Sequence, residues 1–283
     1  TGINSHLISP NTSMTYRHII LTRFNLQYAL ESDIHIQTAW LEERFRLFEA
    51  YCLPSIIGQT NQNFTWIILV HDQTPTIYQQ RLEQYVQTYP VIKVEYCSYY
   101  DDINILYQNI GRKYIEHYDY LLSTRMDSDD MLALDFVEIL QSHLQYIENQ
   151  ATIISFPKGI QWFETKDIAY AIVYPKNHFL TFLEPYDSLR TSLGIDHTKI
   201  DTSQLTLISL NAMWCEIVHG NNICNGYFPG YRYSTLIQQR SYPTLITTSH
   251  SMRQYAFLLK QMIIFRYHQM LRFLKNGFGH RNV

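Results

Sequence analysis

Glycine is scarce in this chain, with 10 residues in 283. None of them builds the Gly-rich loop with a following Lys-Ser/Thr that wraps nucleotide phosphates, so a phosphate loop of that type is excluded. Cysteine is scarce too. Cys52, Cys97, Cys215 and Cys224 form no Cys-x-x-Cys pair and no framework spacing, which excludes a disulfide scaffold and fits a reducing compartment. Cys215, His219 and Cys224 supply three candidate zinc ligands but no closed set of four. No apolar run reaches the roughly 18 residues a bilayer span requires, and no secretory leader is visible. The Asn11 and Asn63 sequons carry no weight without a secretory context. Charge is sparse, 17% of residues, with 22 basic against 25 acidic side chains and a net charge of -3. A nucleic-acid partner needs a basic surface, and this balance argues against one.

What the chain does have is apolar and aromatic mass: 46% hydrophobic residues, including 23 Tyr and 14 Phe. That is enough for one large domain or two small ones. Residues 1–16 read as a polar lead-in. His18–Thr22, Phe64–Val70, Val91–Tyr96 and Tyr120–Leu122 are short apolar runs expected to be strands buried on both faces. Between them lie helical periodicities over 37–57, 76–89, from Asp102 to about His117, and over 134–148. Alternating strands and helices predict an α/β fold, a doubly wound, mostly parallel sheet flanked by helices. Past residue 150 shorter strands are expected at 153–156, 161–163 and 168–174, then loops over 175–205 and one more strand within 205–218. The reading is a domain over 17–250, with a nucleotide-binding half (17–133) and a loop-rich acceptor half (134–250). A C-terminal basic amphipathic helix over 251–283 completes it, carrying Lys260, Arg266, Arg272 and Lys275. Such a helix packs on its own domain, the reading taken here, or lies on an anionic membrane surface.

The stretch that carries chemistry follows the fourth strand: Thr124-Arg125-Met-Asp127-Ser-Asp129-Asp130. Three acids in four positions repel one another and are costly to desolvate, so stability does not account for them. A hard divalent cation does, since Mg²⁺ or Mn²⁺ takes oxygen ligands from one or two carboxylates plus phosphates and water. The end of a strand in an open α/β sheet is also where ligands bind. We therefore expect a metal–diphosphate site on Asp127 and Asp129. The plain alternative is an acidic turn with Asp130 or Asp135 capping the next helix. A calcium loop is excluded, because Met131-Leu-Ala-Leu134 lacks its further acid, glycine and Glu.

In order along the chain, Ile20-Leu-Thr-Arg-Phe-Asn25, Trp40 with Arg44-Phe45 and Phe48-Glu49, Tyr51-Cys-Leu-Pro-Ser55, Gln59-Thr60, Trp66–Pro75, Thr124–Asp130 and Val218-His-Gly-Asn221 resemble the bacterial rhamnosyltransferase-like glycosyltransferases of the GT-A fold. The resemblance implies a nucleoside-diphosphate sugar donor of UDP or dTDP type, with rhamnose one option. It implies Mn²⁺ or Mg²⁺ as cofactor and a glycan, lipid-linked or peptide hydroxyl acceptor, in cytoplasmic polysaccharide or glycan synthesis, peripheral to the inner membrane face if the C-terminal helix docks there. It also implies Asp129 as direct metal ligand, Asp127 on the ribose or sharing the metal, and His219 completing the site. Thr22, Arg23 and Asn25 would line the nucleotide pocket, Asp72 would accept from a pyrimidine imide, and Arg125 would meet phosphate or neutralise an acid.

A cation placed at the diphosphate offsets the charge that develops as the sugar–phosphate bond breaks. Inversion at the anomeric carbon further needs a carboxylate to take the acceptor proton. Glu184 ranks first for that task, as a member of the loop-rich half, and Glu216 second. Two other classes compete: a non-catalytic nucleotide-sugar or carbohydrate-binding module, and a phosphohydrolase with Asp127 as nucleophile.

Overall fold

The computed structural model describes residues 14–26, 33–98, 102–148, 150–166 and 168–220, together with 242, 243 and 267. Most of the lead-in, the domain boundary at 250, Cys224 and nearly all of the anticipated C-terminal helix lie outside the described residues. Among the described residues no helix is long and apolar enough to cross a membrane.

The strands are β1 (Tyr16–Arg23), β2 (Thr65–His71), β3 (Ile92–Cys97), β4 (Tyr120–Arg125), β5 (Met131–Leu132), β6 (Thr152–Ser155), β7 (Lys158–Phe163), β8 (Ile168–Val173), β9 (Thr181–Pro185), β10 (Leu205–Leu207) and β11 (Trp214–Val218). The helices are α1 (Thr38–Leu47), α2 (Leu53–Ile57), α3 (Thr76–Thr88), α4 (Ile103–Ile115) and α5 (Phe136–His143). A seven-stranded sheet has the order β10-β6-β9-β4-β1-β2-β3. Strand β1 pairs parallel with both β2 and β4, and β2 pairs parallel with β3. The first three strands thus run outward on one side of β1 while the fourth returns to its other side. That reversal between β1 and β4 is the position where an open α/β sheet leaves a crevice at its carboxyl edge.

Each central strand is an uninterrupted apolar run because both its faces are covered. Ile19, Leu21, Ile67, Leu69 and Leu121 pack with Leu106, Tyr107 and Ile110 of α4. Ile20, Trp66, Ile68, Val70 and Leu122 pack on the opposite face with Phe45, Phe48 and Leu82 of α1, the turn that follows it, and α3. The helix anticipated over 37–57 is continuous but widens to a π turn at Phe48–Cys52, where the Leu53 N–H reaches the Phe48 carbonyl. The cause is Pro54, whose ring lacks the N–H of a regular turn and crowds the preceding carbonyls.

The reading of 175–205 as loops is corrected. Thr181–Pro185 is a strand inside the main sheet, antiparallel to both β4 and β6. It is short and flanked by proline and polar residues, so local pattern gave it no periodicity to read. The single strand anticipated within 205–218 is two, β10 and β11, in different sheets. The second sheet, β5-β11-β7-β8, lies beyond the acidic stretch. There Gly159 of β7 lies under Trp214, and a Cβ at 159 would come within 2.2 Å of the indole.

Candidate active site

The acidic loop leaves β4 at the carboxyl edge and enters β5. Met126 N–H donates to the Leu21 carbonyl of β1 at 3.0 Å, which pins the start of the loop to the crevice. Its far end is held by α2 and the residues after it. Ser55 Oγ accepts from Leu132 N–H at 3.3 Å, and Gln59 donates to the Ala133 carbonyl at 2.7 Å while accepting from Val137 N–H at 2.9 Å. Both side chains are buried, so each polar atom they satisfy would otherwise be costly. From α1, Arg44 donates to Ser128 Oγ and pairs with Asp129, both at 3.1 Å. Its guanidinium sits 4.7 Å from the centroid of Trp40.

The three acids have different partners. Asp127 receives two hydrogen bonds from Arg125, at 3.1 and 2.9 Å, with Arg23 at 3.9 Å. Asp129 faces His219 Nε2 at 3.0 Å as well as Arg44. Asp130 lies 2.8 Å from His178 Nε2 and accepts the Ile217 N–H of β11 at 2.8 Å. Neither Asp130 nor Asp135 makes a side-chain cap on the following helix, so the plain-turn alternative has no support here. Side-chain exposure falls from 28% at Asp127 to 14% at Asp129 and 4% at Asp130, which leaves Asp127 the most open to a ligand.

Electrostatics separates the acids further. Burial opposes ionisation of Asp127, yet Arg125, His178 and Arg23 hold its carboxyl well below the usual range. At Asp129 burial is likewise outweighed, by the His219 hydrogen bond and Arg44. Asp130 goes the other way: burial and the two neighbouring carboxylates push it well up. Burial lowers His178. The Asp130–His178 contact therefore favours a shared proton over an ion pair, and a proton shared between two good ligands is readily displaced by a cation.

Ligand atoms of Asp127, Asp130 and His178 all lie within 4.8 Å of one another. Two carboxylates and an imidazole are a donor set that fits Mg²⁺ or, with its nitrogen, Mn²⁺ better still. The sequence reading named Asp127 for such a site, gave Asp130 only a helix-capping role, and did not name His178. No local signal marks His178, which precedes the unrecognised strand β9. Asp129, named for the metal from the acidic cluster, and His219, named on the resemblance, do meet, but among the described residues the three groups whose ligand atoms converge are Asp127, Asp130 and His178. Gly220, directly after His219, has φ +91, a conformation that L side chains rarely adopt.

Several anticipated pocket residues have other partners. Thr22 is fully buried and accepts the Trp66 indole N–H at 2.9 Å, which commits its hydroxyl to the core. Asn25 is also buried. It donates to the His35 carbonyl and Thr74 Oγ and accepts from His71 N–H, which fixes the loop after β2. Asp72 remains half-open at that edge, accepting from Ser98 Oγ at 2.7 Å. Arg23 and Arg125, at the ends of β1 and β4, are the pair that borders the crevice.

The two candidate bases part company. Glu184 lies on β9 opposite Leu121, toward the amino end of β4 and away from the acidic loop. It is 1% exposed and accepts from Arg190 N–H, Arg190 Nε and Thr191 N–H. Its first rank as base is therefore corrected: its oxygens are committed to the backbone of the following turn. Glu216 lies on β11, next to the residue that donates to Asp130, and takes a 2.7 Å hydrogen bond from Gln161, its register partner on β7. Burial raises it to about 7, with His178 opposing and Asp130 adding to the rise. Of the two, Glu216 has both the location and the proton affinity of a base.

Residues 19–230 match a family described as "Putative rhamnosyl transferase". No match is found among curated proteins. Among solved structures, S. aureus TarS 1-349 is similar at 12% identity and TM-score 0.42, over 72% of this chain and 60% of that one. Its UDP complex is similar at 13% identity and TM-score 0.39, over 72% and 61%. A Desulfovibrio desulfuricans G20 protein titled "putative nucleotide-diphospho-sugar transferase" follows at 10% identity and TM-score 0.38, over 72% and 82%. This chain spans about 60% of the TarS 1-349 length. With the match to its family profile covering most of the sequence, the chain belongs to the rhamnosyl transferase family of glycosyltransferases.

Proposed function

We propose that the chain is a metal-dependent glycosyltransferase. It moves a sugar from a nucleoside-diphosphate donor of UDP or dTDP type, rhamnose among the candidates, to a hydroxyl acceptor during glycan synthesis. The observation that carries this is the convergence of Asp127, Asp130 and His178 at the crevice between β1 and β4. Mn²⁺ or Mg²⁺ held there would offset negative charge on the departing nucleoside diphosphate. Arg23 and Arg125 bind phosphate oxygens from the strand ends, and Asp127 holds Arg125 in place by its two hydrogen bonds. Arg44 and His219 fix Asp129, and with it the loop that carries the ligands. Glu216, kept near neutrality in proton affinity, takes the proton from the acceptor hydroxyl if the anomeric centre inverts.

The test is thermal stability with UDP and dTDP, with and without Mn²⁺, followed by nucleoside-diphosphate release from a panel of donors. Stabilisation that requires the metal, and release that requires an acceptor, are the expected results. Binding indifferent to metal, with no release from any donor, would mark a non-catalytic binding module instead.

A further inference from the structure

His197 is remote from the acidic loop in sequence, yet its imidazole lies beside that of His178. The two ring centroids are 5.9 Å apart and the planes are inclined by 64°. His197 opens a short 3₁₀ turn, His197–Lys199, in the chain beyond β9. Both rings are partly open to solvent. The segments that carry them share one small core, in which Leu180 packs with Phe182 and Ile200. Asn177, buried, donates to the Phe156 and Tyr174 carbonyls, both at 2.9 Å, and accepts from Phe179 N–H at 3.0 Å. The backbone on either side of the pair is therefore fixed, and what remains to be set is how each ring is turned.

The ring of His178 lies against Phe179, with centroids 4.1 Å apart, and Phe179 stacks on Trp214 at 5.0 Å. Such packing fixes the plane of an imidazole. It does not choose between the two orientations related by a half-turn of the ring, which exchange nitrogen for carbon. Hydrogen bonds make that choice. Nε2 of His178 lies 2.8 Å from Asp130 and 4.0 Å from Asp127, so it is the nitrogen that faces the proposed cation. A neutral imidazole that ligates through one nitrogen carries its proton on the other, and that N–H needs an acceptor to hold the ring in place.

His197 offers the complementary tautomer. Its Nδ1 is bonded to the Lys176 carbonyl. A carbonyl only accepts, so Nδ1 carries the proton and Nε2 the lone pair. Burial disfavours a second proton on this ring. Among the described residues Nε2 makes no hydrogen bond. With the cation on His178 Nε2, one ring presents an N–H and its neighbour a lone pair. Where the two nitrogens stand more than about 3.5 Å apart, one water bridges them at little cost.

We propose that His197 is a positioning residue for the metal site, accepting from His178 Nδ1–H, directly or through one water, and so keeping His178 Nε2 turned to the cation. This rests on the metal-dependent reading above and adds a residue that no sequence motif marks.

Two substitutions in the full chain separate this role from a structural one. The probes are Mn²⁺ alone and Mn²⁺ with UDP, read by calorimetry, and melting without metal. His197→Asn keeps a donor for the Lys176 carbonyl at the place of Nδ1 and removes the acceptor at Nε2. His197→Gln does the reverse, setting an amide oxygen near the place of Nε2. The expected result is Mn²⁺ binding about 10- to 100-fold weaker in His197→Asn, the usual cost of losing the partner of a ligating histidine. Its melting temperature should stay near that of the unmodified protein, and His197→Gln should bind Mn²⁺ nearly as the unmodified protein does. Unchanged Mn²⁺ affinity in His197→Asn would overturn the assignment while leaving the metal site intact. Equal losses in the two variants would assign His197 to the fold and overturn it as well. If the unmodified protein binds no Mn²⁺ under either condition, the metal site and the role of His197 fall together.

Discussion

His178 Nε2 lies 2.8 Å from Asp130 Oδ2, joining the acidic loop to a residue 48 positions later in the chain. The contact exists because β9 enters the main sheet beside β4, which brings the residues just before Thr181 to the carboxyl edge. Burial disfavours charge on both partners, so the pair is held together by a shared proton that a cation can replace.

Removal of His178 is expected to act on metal use directly. His178→Ala should raise the Mn²⁺ concentration required for half-maximal nucleoside-diphosphate release by more than ~100-fold, exceeding the usual cost of losing an outer-shell partner. His219→Ala, acting through Asp129, should cost only about 10- to 100-fold. The reverse order would move the cation to the Asp129 side. Metal titrations of the two variants decide it.

Glu216 sets the next expectation. A base must be ionised, so the rate should rise with pH through the titration of this carboxyl, which burial raises and a cation bound beside it would lower. Glu216→Gln should lower turnover by about 10²- to 10⁴-fold and remove that limb of the profile. A retaining reaction would show neither change.

His18 should govern acid stability. Its ring is buried, accepts from Gln141 at Nδ1 and bonds Thr124 Oγ at Nε2, and burial holds it at about 3, against an ordinary 6.5. The unfolded chain therefore takes up this proton first. Stability is full above about pH 6.5, falls as pH drops below that, and stops falling near 3. The contribution is at most ~1.4 kcal/mol per pH unit. Urea unfolding between pH 7 and 4 measures the slope, which His18→Gln should flatten.

Glu184→Ala should destabilise without touching metal use. It strands the Thr191 N–H and leaves Arg190 unpaired, at a cost of ~3 kcal/mol. Thr191 is held at φ 63, outside the usual region for its type, so this turn depends on the bonds that Glu184 accepts. Chemical denaturation gives the first quantity, and Mn²⁺ titration of the folded variant should be unchanged.

The sequence by itself determined the parallel strands, the long helix before Phe64, and the carboxylates waiting at a strand end. Those features are local, since continuous apolar runs and a 3.6-residue period report which faces each segment must bury. Asp127 could be named from its place in a cluster of acids at a strand end, and Glu216 only as a second-ranked base close in sequence to His219. Only the tertiary structure decided which acid faces which partner. Strand register put Glu184 at the wrong end of the sheet and Glu216 beside Asp130, and the unrecognised β9 delivered His178. Thr22 and Asn25 have the residue types of a nucleotide pocket, but a tryptophan indole and the backbone of a loop claim them. A hydrogen bond depends on a few tenths of an ångström between segments remote in the chain, and no periodicity along one segment encodes that distance.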